Sequence, residues 1–180
     1  MPTYVAFLRA INLGAKRKFP KAEIVAATEA AGGTDVETHI NTGNVLLTTR
    51  LRSRAKVEAA LETAYEERAG FVVPTIVLTP AELVAVAQDA RELSAARPEL
   101  ERHYVYLLKD EPDPALAKAV EERSDAVNEV VVRGRAAHIL LGPGYEAGGV
   151  DPYKVEKSLA VVATNRNFNV VTTLADKWCS

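Results

Sequence analysis

A chain of 180 residues with 48% hydrophobic content is long enough to bury one large core or two small ones. Its 22 basic and 24 acidic residues leave a net charge of -2, which excludes a surface made wholly for wrapping nucleic acid but leaves room for a local basic patch. No run approaches the roughly 18 apolar residues that cross a bilayer, and Met1-Pro2 leads into an amphipathic strand instead of a signal sequence, so a cytoplasmic protein is expected.

The run Thr3 to Leu8 reads as a buried strand, followed by a polar loop, Arg9 to Phe19, that carries Gly14 and the cluster Lys16-Arg17-Lys18. Pro20 opens a helix with Ile24, Ala27, Thr28 and Ala31 at helical spacing, and Gly32-Gly33 stops it. Strands are predicted over about Val36 to Ile40 and Val45 to Thr48, joined by the turn residues Asn41-Thr42-Gly43-Asn44. Ser53 caps a helix whose apolar face holds Val57, Leu61, Ala64 and Tyr65; Gly70 closes it, and Val72 to Leu78 is the next strand. Thr79-Pro80-Ala81-Glu82 is a capping box, so a connecting helix bearing Leu83, Val84 and Ala87 follows.

His103 to Leu108 reads as a strand, and Asp113-Pro114 starts a helix with Leu116, Ala119 and Val120 on one face. Two strands then meet at Arg133-Gly134-Arg135. Asp151-Pro152 starts a helix with the stripe Val155, Leu159 and Val162, and a last helix runs from about Asn167 to Trp178. The β-α-β-β-α order thus occurs twice. Adjacent strand pairs are hairpins, which cannot wind a Rossmann sheet, so the expected class is α+β: two tandem ferredoxin-like (α/β-plait) units, each built on βαββα(β). The expected division is an N-terminal βαββαβ unit, residues 1–78, and a connecting helix plus second βαββα unit with a C-terminal helix, residues 79–180.

Three ordered motifs carry a family likeness: Arg9-Ala10-Ile11-Asn12-Leu13-Gly14, Ile40-Asn41-Thr42-Gly43-Asn44-Val45 and Ala163-Thr164-Asn165-Arg166-Asn167-Phe168-Asn169. Over essentially the whole chain they resemble the uncharacterised, mainly bacterial domain of unknown function 1697. The family pattern differs at Ala10, Leu13, Ala15, Asn41, Thr42, Asn165, Phe168 and Val170. The resemblance implies a two-part α/β plait and brings no established activity, substrate or cofactor.

The leading candidate site is the start of the last helix. With Thr164 or Asn165 as its cap, first-turn N–H groups and the helix dipole would face an anion, and Arg166 would add a forked donor. Arg166, Asn169 and Thr173 would share one polar face, with Asn167 beside them. The loop after the first strand is the second candidate, where Arg9 and Asn12 would fix a ligand while Lys16, Arg17 and Lys18 attract phosphate. Asn44, in the hairpin turn, would add a hydrogen bond.

Other chemistry finds less support. The segment Gly142 to Gly149 matches neither a dinucleotide nor a Walker loop, and Glu146 and Asp151 would repel phosphate. His39, His103 and His138 lie on separate strands with no partner at metal-ligand spacing, so no metal is expected. Cys179, alone near the C-terminus, is a weak nucleophile candidate. No cofactor is implied, no general base can be named, and whether the protein is an enzyme stays open, as does its oligomeric state. The expected function is binding of a phosphate-bearing small molecule or nucleotide-like ligand between the two halves. The alternatives are nucleic-acid binding through the Arg9–Lys18 loop and an enzyme of unidentified class on a similar ligand; no membrane partner is expected.

Overall fold

In the computed structural model, which describes residues 1–147, 150–151 and 154–180, the first strand, β1 (Thr3–Leu8), is buried from Tyr4 onward. Burial on both faces suits a central strand, and β1 lies between two neighbours. The elements that follow are α1 (Lys21–Ala30), β2 (Thr34–His39), β3 (Asn44–Thr48), α2 (Arg54–Ala69) and β4 (Thr75–Leu78), in the sheet order β2-β3-β1-β4. All pairings are antiparallel, with Val5 opposite Leu46 on one side and Leu78 on the other. Successive side chains alternate across a strand, so Tyr4, Ala6 and Leu8 share one face with Val45, Leu47 and Val77. Ile24 and Ala27 of α1 and Val57, Leu61 and Tyr65 of α2 close over that face. The Tyr65 hydroxyl hydrogen-bonds Thr28 Oγ1 at 2.8 Å, and burial pushes its phenol well above the usual range.

Local rules set most ends. Ser53 accepts from Lys56 N and Gly70 ends α2 at φ 79°. The fourth strand begins at Thr75 instead of Val72, because Pro74 has no N–H to give and Val72 is 60% exposed. Thr79 and Glu82 form the reciprocal capping box at 2.8 and 3.2 Å, which starts α3 (Pro80–Ala96).

The chain divides within α3 into two compact units built on Met1–Leu83 and Val84–Trp178. The second contains β5 (Arg102–Leu108), α4 (Pro114–Glu121), β6 (Asn128–Arg133), β7 (Ala136–Leu141), α5 (Val155–Leu159), β8 (Ala163–Asn167) and α6 (Phe168–Trp178), with an antiparallel sheet ordered β6-β7-β5-β8. Tyr106, Leu108, Ala137, Ile139 and Leu141 form the core face beneath Val120 of α4 and Val155 and Leu159 of α5. The protein is therefore α+β, with two four-stranded antiparallel sheets. No described helix is long and apolar enough to cross a membrane.

Three further expected details differ. The buried side of α4 is Ala117 and Val120, while Leu116 is 39% exposed. Helix α5 stops at Ala160, which turns left-handed at φ 53°, so Val162 lies past its end and is 39% exposed. Its expected start at Pro152 falls outside the described residues. The third difference is β8, an extra strand before the last helix.

Candidate functional site

The β1–α1 loop is coiled tightly: Ala10, Asn12 and Gly14 all take left-handed backbone angles. Asn12 holds it shut. Its Nδ2 donates to the carbonyls of Phe19 (3.1 Å) and Asn41 (2.8 Å), and its Oδ1 accepts from Phe19 N at 2.9 Å. Arg17 folds back as well, donating to the Ala10 carbonyl and, at 2.8 Å, to that of Val72, with its guanidinium 4.4 Å above the Phe71 ring. In the adjoining hairpin, Asn44 is wholly buried and donates to the His39 carbonyl and Thr42 Oγ1, each at 3.0 Å. Leu8 N donates to the Gly43 carbonyl at 2.8 Å. A Cβ on Gly43 would stand 2.7 Å from Leu8 Cβ, and its φ of 81° also calls for glycine. Asn12, Arg17 and Asn44 thus build the loop and hairpin that frame a cavity of about 650 Å³.

Asn12, Gly14, Lys18, Pro20, Lys21, Ala22 and Asn41 line that cavity. It lies at the N-terminus of α1, whose cap residue Pro20 makes no side-chain cap bond. The N–H groups of Lys21 and Ala22 precede the first intrahelical bonds, which begin with Glu23 and Ile24 donating to the Pro20 carbonyl. Glu23, the acid of that first turn, is held by Arg68. Lys16 and Lys18 are exposed, and Lys18 faces the cavity. Arg9 is half-buried, and its backbone N donates to the Pro74 carbonyl at 2.9 Å.

In the second unit, sheet register creates a cluster that residue spacing conceals. Val105 pairs with His138 and Leu140 with His103, so both imidazoles emerge from the face opposite the Tyr106–Ile139 core. His103 Nε2 lies 3.1 Å from His138 Nδ1, and its Nδ1 lies 2.8 Å from Ser94 Oγ on α3. The two histidines expected to stand apart are hydrogen-bonded to each other. Burial, reinforced by the neighbouring His138, lowers the His103 pKa to about 4. Burial likewise lowers His138 to about 4, with Asp89 opposing the shift and Arg133 adding to it. His138 Nε2 is buried and has no hydrogen-bond partner among the described residues. A cavity of about 430 Å³ opens beside this chain, walled by Ser94, His103, Tyr104, Asn167, Phe168 and Asn169 with Leu100, Glu101 and Arg102.

The leading sequence candidate needs correction. Ala163–Asn167 is a strand, with Thr164 opposite Leu107 and Arg166 opposite Val105, so neither Thr164 nor Asn165 caps the last helix. Pairing with β5 overrides the turn-like local composition. The cap is Asn167, whose Oδ1 accepts from Val170 N at 2.9 Å. Arg166 therefore shares no helical face with Asn169 and Thr173. It is 7% exposed, donates to Thr164 Oγ1 and to the Asn165 carbonyl at 2.8 Å each, and burial lowers its pKa to about 10. Of the expected ligand residues, Asn12 and Lys18 meet at the first cavity and Asn167 and Asn169 at the second. Burial also pushes the Cys179 thiol up, away from a reactive thiolate.

These features define a two-unit α+β protein with a lysine-lined cavity in one unit and an imidazole-lined cavity in the other. Residues 1–138 match the family described as protein of unknown function (DUF1697), and the chain belongs to that family. It is similar in structure to the conserved bacterial protein SP0830 from Streptococcus pneumoniae, with a TM-score of 0.76 and 20% sequence identity, over 97% of this chain and 98% of that one. That likeness is one of fold alone. No curated protein matches the sequence.

Proposed function

We propose that this protein binds a phosphate-bearing small molecule or nucleotide-like ligand, with its anionic group in the cavity at the start of α1. The carrying observation is the helix end itself: without a side-chain cap, it meets a cavity that Lys18 and Lys21 also line. Unused N–H groups and the helix dipole favour negative charge there, and two ammonium groups add to the attraction. Pinning by Asn12 and Asn44 pre-organises the rim. Nucleic-acid binding ranks second, because Arg17 is committed to Ala10 and Val72 and leaves Lys16, Lys18 and Lys21 as the exposed cations of the segment.

The strand orders β2-β3-β1-β4 and β6-β7-β5-β8 support a finer reading of the fold, in which each unit is a ferredoxin-like plait. Likeness to a conserved bacterial protein and the lack of a membrane-crossing helix among the described residues support a bacterial, cytosolic setting.

Thermal unfolding against inorganic phosphate, sugar phosphates and nucleotides tests the reading. A ligand at about 100 times its dissociation constant stabilises the folded state by roughly 2.7 kcal/mol. That gain is expected in the wild type and largely lost in the Lys18→Glu, Lys21→Glu double variant. No gain with any compound, or an equal gain in both proteins, would reject the site.

A further inference from the structure

We propose that the cavity of the second unit is a hydrolytic site in which Ser94 is the nucleophile, His103 its general base, and the substrate a small, uncharged acyl ester. The site is independent of the lysine-lined cavity and uses different chemistry.

Geometry carries the inference. A serine hydroxyl becomes nucleophilic when a neutral imidazole nitrogen lies within hydrogen-bonding reach, and Ser94 Oγ lies 2.8 Å from His103 Nδ1 at the wall of a cavity of about 430 Å³. The base in turn has an orienting partner, since His103 Nε2 lies 3.1 Å from His138 Nδ1. One tautomer set serves the reaction: the Ser94 hydroxyl donates to His103 Nδ1, His103 Nε2–H donates to His138 Nδ1, and His138 carries its own proton on Nε2. The last nitrogen has no partner among the described residues.

The steps balance. Ser94 Oγ attacks the ester carbonyl carbon while its proton passes to His103 Nδ1. His103 can share its Nε2 proton with His138 Nδ1, where Asp89 favours and Arg133 opposes the protonated form, and that proton is back on His103 Nε2 before the intermediate collapses. Collapse of the tetrahedral intermediate breaks the bond to the alkoxide, which takes the proton from His103 Nδ1 and leaves as the alcohol. Water then attacks the acyl-serine, with His103 taking its proton and returning one to Ser94 Oγ, so that a carboxylic acid departs. The Asn167 and Asn169 side chains on the same wall can donate to the oxyanion; because Asn167 Oδ1 is engaged with Val170 N, its Nδ2 is the donor end.

Substrate class follows from the same wall. Glu101 and Arg102 on that wall offset each other in charge, so the cavity offers no net charge to hold an ionic substrate. A histidine as weakly basic as His103 suits an ester with a good leaving group better than an amide.

The full-length protein would be treated with a fluorophosphonate probe and, separately, with p-nitrophenyl acetate and butyrate. Expected are a single adduct mapped to Ser94, its loss in Ser94→Ala, and at least a 100-fold slower reaction in His103→Gln. Ester turnover should fall in parallel. Ser94→Ala removes one oxygen from a half-buried position, so it decides the matter even where His103→Gln does not fold. An unlabelled wild type, an adduct elsewhere, or ester turnover unchanged in Ser94→Ala would overturn the proposal.

Discussion

The cavity beside α1 takes its charge from exposed Lys18, on a loop that the Asn12 side chain pins, and from Lys21 in the first turn of α1, whereas the cavity in the second unit is walled by the imidazole of His103, which burial holds neutral. One arrangement attracts an ion out of water and weakens with salt; the other resists charge and relies on aligned hydrogen bonds. Two units of the same strand order thus carry opposite solutions to placing polar groups around a cavity.

Acid is the most direct way to break that contrast. Both imidazoles titrate at about 4 in the folded protein against an ordinary 6.5, so between those values the unfolded chain binds more protons than the folded one. Stability then falls as pH drops from about 6.5 to about 4 and these groups add no further loss below that. Each contributes a slope of up to about 1.4 kcal/mol per pH unit, a loss on the order of 3 kcal/mol for one fully buried imidazole. Denaturant unfolding of wild type and His138→Gln across this range measures it, with a steeper decline expected in the wild type. Matching slopes would show that His138 titrates normally, and the neutral pair it forms with His103 would lose its basis.

In the first unit the corresponding weak point is Gly43. Gly43→Ala forces a left-handed alanine and places its Cβ 2.7 Å from that of Leu8 and 2.9 Å from Ile11 Cδ1. A loss of about 2–4 kcal/mol is expected, measured by denaturant unfolding. Because the hairpin carries Asn41, whose carbonyl anchors Asn12, phosphate stabilisation should weaken along with the fold, while reaction of Ser94 with fluorophosphonate continues in the molecules that stay folded. Losing both together would mean that the two cavities are not independent.

What could be read from residue order follows the reach of each interaction. Capping at Ser53, Asp113 and Thr79–Glu82 acts within three residues, and the structure shows each of them. Short-range logic was less complete for the polar loop: Asn12 and Arg17 have the chemistry of ligand residues, yet partners as distant as Asn41 and Val72 claim them. The Ser94–His103–His138 chain was invisible for the same reason. It depends on β5 and β7 pairing in a particular register, and His103 and His138 are separated by 35 positions. A shift of one residue would send either imidazole to the opposite face.

The start of α6 offers the finest test, because local composition and sheet pairing point to different residues there. Asn165 reads as a cap in the sequence, but in β8 it pairs opposite Tyr106 with its side chain exposed. Asn167 instead satisfies the first-turn amide of Val170 at 2.9 Å. Asn167→Ala should therefore cost about 1 kcal/mol, the usual worth of a lost cap, while Asn165→Ala stays within about 0.5 kcal/mol of wild type. Because Asn167 also walls the His103 cavity, its variant should slow ester turnover as well, an effect no substitution at Asn165 should reproduce. Equal losses at the two positions would mean that the helix begins earlier in solution, which would turn Asn167 away from the cavity and remove an oxyanion donor from the proposed site.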